Sequence, residues 1–110
     1  MNVLEALDKA AELDRVHDRH LAAGVRLEEL KHRLWRATLP PDYIPLNPNY
    51  KVERLMLSKE QILQLHADIW QTQPEIYNLA IRAHELRFGK DSVPQWLIDE
   101  RKAHRANILR

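Results

Sequence analysis

A chain of 110 residues with 17 Lys and Arg against 16 Asp and Glu has a net charge of +1, which gives no global pull toward nucleic acid or an anionic membrane. It has no cysteine and only two isolated glycines, which excludes a disulfide framework, a thiolate metal site and a glycine-rich phosphate cradle. At 13.0 kDa the length admits one small domain with a thin core. Acids at Glu5 and Asp8 argue against a signal peptide and no stretch reads as a membrane span, so the expected location is cytoplasmic and no membrane partner is expected.

Leu13, Val16, His20, Ala23, Leu27, Leu30, Leu34 and Ala37 recur at alternating spacings of three and four, the seam of an amphipathic helix. With Asn2 as a cap and no proline before Pro40, residues 1–37 read as one long helix spanning roughly 3–37, on the order of 50 Å long. Leu4, Leu7 and Ala11 point to a different face. Gly24 sits inside the pattern at a cost of about 1 kcal/mol relative to alanine; the reading favours a continuous helix with a close neighbour there over a hinge.

The seam is bordered by Glu12, Arg19, Arg26 and Arg33 on one side and by His17, Gly24 and Lys31 on the other. A symmetric homodimer through this face would bring like charges together, so the seam calls for an acidic-flanked helical partner. The chain's own C-terminal half, with Glu60, Asp68, Glu75 and Glu85, is one candidate, and a different protein is the other. Arg19, His20, Arg26, Leu27, Leu30, Arg33 and Leu34 are the candidate partner-binding residues.

Residues 38–57 begin TLPPDYIPLNPNY, with four prolines. They read as a proline-rich strap lying along the helices through Tyr43, Ile44, Leu46 and Tyr50, or as a docking segment, with a short strand over 51–57. Residues 58–110 carry three helix starts in which a hydroxyl residue precedes Glu or Gln by three: Ser58/Gln61, Thr72/Glu75 and Ser92/Gln95. They predict helices over 59–71, 74–88 and 93–108, the second ended by Gly89, folded as a compact three-helix C-terminal bundle. Trp35, Trp70 and Trp96 are expected core anchors.

Three of the four hydroxyl residues are spent as caps, which argues against a nucleophilic hydrolase. His17 and His20, with Asp14 and Asp18 close by, have the spacing to share a metal, but His-x-x-His lacks the Glu of known helical metal patterns. No metal and no cofactor is expected. The fold class is all-α, and the expected function is a non-enzymatic protein–protein interaction module, an adaptor, inhibitor or accessory subunit binding its partner through the long helix. The alternative is a small nucleic-acid-associated regulator using Arg101, Lys102, Arg105 and Arg110 of the basic last helix, together with the arginine row Arg19, Arg26 and Arg33. Whether the chain self-associates through another face stays open.

Overall fold

The computed structural model describes residues 2–108. The chain is all-helical, with α1 (Val3–Ala37), α2 (Lys59–Phe88), a single 3-10 turn (Lys90–Ser92) and α3 (Gln95–Ile108). The side chain of Asn2 caps α1 by accepting from the amide of Glu5 at 2.8 Å. Gly24 does not interrupt the helix, and at its far end the Thr38 hydroxyl donates to the carbonyl of Leu34 at 2.8 Å. Ser58 and Gln61 form the reciprocal cap of α2 at 2.9 and 3.1 Å. Gly89, at φ +95°, ends that helix in a region where only glycine is unstrained.

The C-terminal region is not a three-helix bundle. The two helices expected over 59–71 and 74–88 are one helix of 30 residues that runs through Pro74. Thr72 does not cap a new helix; it is buried, and its hydroxyl donates back to the carbonyl of Asp68 at 2.8 Å. A proline at position 74 has no N–H for the carbonyl of Trp70, one turn back. That carbonyl is met from outside the helix: the Nε2 of His104, on α3, lies 3.4 Å from it and donates in the Nε2-protonated ring. The His104 ring also stacks on Trp70, with centroids 4.9 Å apart at 27°. An orphan acceptor that would have ended the helix is thus answered by a residue 34 positions further on. The third expected start shifts similarly, because the Ser92 hydroxyl bonds the carbonyl of Gly89 within the 3-10 turn and α3 begins at Gln95.

The two long helices pack antiparallel. Glu12, early in α1, meets Arg82, late in α2, and Arg33, late in α1, lies beside Gln61 and Leu65, early in α2. Val16, Ala23 and Leu30, each seven apart, are the buried residues of α1, opposite Leu65, Thr72 and Ile81 of α2. Helix α3 packs only on α2, through Leu97 and His104, and the backbones of α1 and α3 do not approach each other. The result is a rod of 62 × 36 × 25 Å with a thin core. Trp35, Trp70 and Trp96 are 37%, 39% and 60% exposed, so none of the three is a buried core anchor.

Among the described residues there is no strand, and residues 51–57 make a single backbone bond to a helix, from the amide of Leu55 to the carbonyl of Arg36. The linker is tied down at both ends, near the C-terminus of α1. Leu39 is buried, Arg36 Nε donates to the Glu53 carbonyl at 2.7 Å, and the Arg54 guanidinium donates to the carbonyls of Leu39 and Pro40. Two tight turns, Pro40–Tyr43 and Asn47–Tyr50, fold its middle outward. Ile44 and Leu46 therefore face solvent instead of lying along the helices.

Candidate functional site

The seam of α1 is occupied from within the chain. Leu30 is buried, while Leu27, Leu34 and His20 are half-buried. Arg19, Arg26 and Arg33 are exposed in a row beside the seam, and Arg26 and Arg33 share one surface depression with Asp68. With Glu12 opposite Arg82, steps of seven in opposite directions set Arg19 against Glu75, Arg26 against Asp68 and Arg33 against Gln61. The sign of the flank reverses at the one close pair, in which Arg82 Nη2 lies 2.6 Å from Glu12 and Nη1 lies 3.3 Å from Glu85. The two carboxylates hold the guanidinium pKa above the ordinary arginine value, Glu12 contributing the larger part. Helix α2 thus places Glu75 and Asp68 along the arginine row, without an ion pair to Arg19, Arg26 or Arg33 among the described residues.

Up to Val25 the opposite face of α1 is exposed, whereas near its C-terminus His32 and Arg36 lie beside Tyr50, Lys51, Val52 and Glu53. At about 100° per residue, Leu7, Leu21 and Val25 lie across the helix from Val16, Ala23 and Leu30, and they are 61%, 55% and 59% exposed. The polar positions of this outward stripe are Asp14, Asp18, Glu28 and His32, joined at its C-terminal end by Arg36, which donates to the Glu53 carbonyl. Gly24 forms the floor of a shallow trough walled by Leu21, Val25, Glu28 and His32. A Cβ placed on Gly24 would meet nothing within 4 Å, so the close neighbour expected at this glycine is not supplied by the chain. The sequence pattern hinted at this face in Leu4 and Leu7, but Asp14 and Asp18 interrupt the stripe and hide its return at Leu21.

The basic residues of α3 divide. Arg101 is half-buried and donates to the Asn78 side chain at 3.2 Å, which spends it on holding α3 to α2. Lys102 and Arg105 are exposed, and Arg110 lies outside the described residues. His17 and His20 meet His84 of α2 across the interface, lining a common cleft. Among the described residues no three His, Asp or Glu side chains converge closely enough to hold a metal ion. No helix among them is long and apolar enough to cross a membrane. Comparison of the chain with protein-family models, with curated proteins and with solved structures gave no match.

Proposed function

We propose that the chain is a non-enzymatic interaction module that docks a helix of another protein along the outward face of α1. The observation that carries this reading is the unpartnered stripe of Leu7, Leu21 and Val25 around an open glycine trough, on a helix whose other face is already filled. Covering what these three side chains still expose contributes roughly 1–2 kcal/mol each. Association costs about 4–15 kcal/mol, so apolar burial alone does not hold such a complex. Charge pairing has to add to it, and Asp14, Asp18 and Glu28 specify a partner helix bordered by Lys or Arg. The partner chemistry is therefore the reverse of that called for by the seam.

The test is a tagged pull-down from native lysate, with and without nuclease, comparing the wild type with Gly24→Leu. The substitution projects a side chain into the trough from a position where a Cβ meets nothing within 4 Å. A stoichiometric protein that survives nuclease and is lost from Gly24→Leu, at unchanged helicity, supports the reading. A protein retained by Gly24→Leu but lost from Leu27→Asp with Leu34→Asp returns binding to the seam. Nucleic acid retained by the wild type and lost from Lys102→Glu with Arg105→Glu replaces the reading with the basic-helix alternative. Retention of nothing counts against all three.

A further inference from the structure

At the end of the helix pair where α2 terminates, a cleft of about 250 Å³ is lined by His17 and His20 of α1 and by His84, Arg87 and Phe88 of α2. Its chemistry is one-sided. Three imidazoles and a guanidinium reach it, two alanines and a phenyl ring supply an apolar floor, and no carboxylate lines it. The carboxylates on the same stretch of the two helices are engaged elsewhere: Glu12 and Glu85 are bound by Arg82, and Asp14 and Asp18 lie toward the outward face of α1.

Two of the lining groups lack partners. The Nδ1 of His84 is buried with no hydrogen bond, and Arg87 is in no ion pair among the described residues. A buried polar nitrogen without a partner costs about 1–3 kcal/mol, and such groups in folded proteins are ordinarily satisfied. The same stretch of α2 thus carries an imidazole with one unpartnered nitrogen and an uncommitted cation, both lining one cleft.

We infer that this cleft binds a small organic oxyanion, with its phosphate or carboxylate held by Arg87 and the imidazoles of His17, His20 and His84, and its hydrocarbon body against Phe88. Arginine matches either anion with two parallel donors, and imidazoles add donors that carry charge when protonated. The volume is below the ~300–1,000 Å³ of sites for drug-sized ligands, which limits the occupant to one ring or a short chain. A transition metal fits less well, because Arg87 repels a cation and the three imidazoles do not converge on one point. The cleft and the trough on the outward face share His20 and otherwise differ in lining, so Arg87→Gln and Gly24→Leu test the two proposals separately.

The test is a titration of the full chain with phenyl phosphate, benzoate and inorganic phosphate, each followed through the ring resonances of the six histidines by NMR. Phenyl phosphate or benzoate is expected to saturate with a sub-millimolar Kd. The rings of His17, His20 and His84 should move while those of His32 and His66 do not, and the tighter of the two probes identifies the anionic group. Inorganic phosphate, with no ring for Phe88, should bind at least fivefold more weakly. Arg87→Gln, an exposed position, should weaken the organic probe at least tenfold, and Lys102→Gln should not change it. Equal binding by wild type and Arg87→Gln, or shifts spread evenly over all six histidines, overturns the inference. So does zinc chloride moving the same three rings where the organic anions do not.

Discussion

The two faces of α1 carry similar apolar residues, yet one is buried and the other is not. Val16, Ala23 and Leu30 meet α2, whereas Leu7, Leu21 and Val25 meet solvent. The difference lies in what surrounds each stripe. The inner face is bordered by arginines in steps of seven, and α2 answers them in the antiparallel direction with Glu75 and Asp68. The outer face is interrupted by Asp14 and Asp18, and neither carboxylate forms an ion pair among the described residues. Apolar periodicity marks a surface as able to pack; the charges beside it decide which surface packs first.

Substitutions that treat the faces alike should therefore give unlike results. Leu30→Ala should cost about 2–4 kcal/mol in denaturant unfolding, because it removes a buried side chain and leaves a cavity, while Leu21→Ala should stay within about 0.5 kcal/mol. Equal losses would mean that the outer face is covered in the free protein. The next largest effect concerns the contact between α2 and α3. His104→Phe keeps the stack on Trp70 but removes the donor to its carbonyl, and should cost about 1–2 kcal/mol. The same change in a Pro74→Ala background should cost less than half as much, because alanine restores the intrahelical N–H; a double-mutant cycle with no coupling would refute the compensation.

Gly24→Ala should raise stability by up to about 1 kcal/mol, since the new methyl has open space around it and alanine is the better helix former. A loss of stability would place an unseen neighbour on the trough. The smallest effect should come from Glu12→Gln at the Arg82 pair, whose side chains are 38% and 43% exposed. Any loss in thermal unfolding at low salt should disappear in concentrated salt.

Much of the fold was readable in residue order. The 35 residues of α1, the Asn2 cap, the reciprocal cap at Ser58 and Gln61, and the stop at Gly89 are local features, and local chemistry determines them. The seam was readable because its spacing is regular. What escaped depends on partners distant in sequence. Pro74 reads as a break because the donor that relieves it, His104, belongs to another helix. Ile44 and Leu46 read as packed because apolar residues usually are, whereas two tight turns carry them outward. Of the two surfaces proposed above, the outward stripe was half visible in Leu4 and Leu7. The oxyanion cleft was visible only as two histidines on α1, since His84 and Arg87 join them by antiparallel packing alone.

The contact at Trp70 also has a consequence for how the molecule opens. With Pro74 in place, the middle of α2 lacks one rung of its own ladder, and the replacement comes from a helix that packs on α2 alone. Release of α3 would leave the Trp70 carbonyl unpaired at the point where the helix is least able to hold itself straight. Amide hydrogen exchange in the turn around Thr72 should then follow the docking of α3, while amides near Leu65, held by α1, exchange independently of it. A single proline thus makes the middle of one continuous helix depend on both neighbours, on α1 for packing and on α3 for the missing rung.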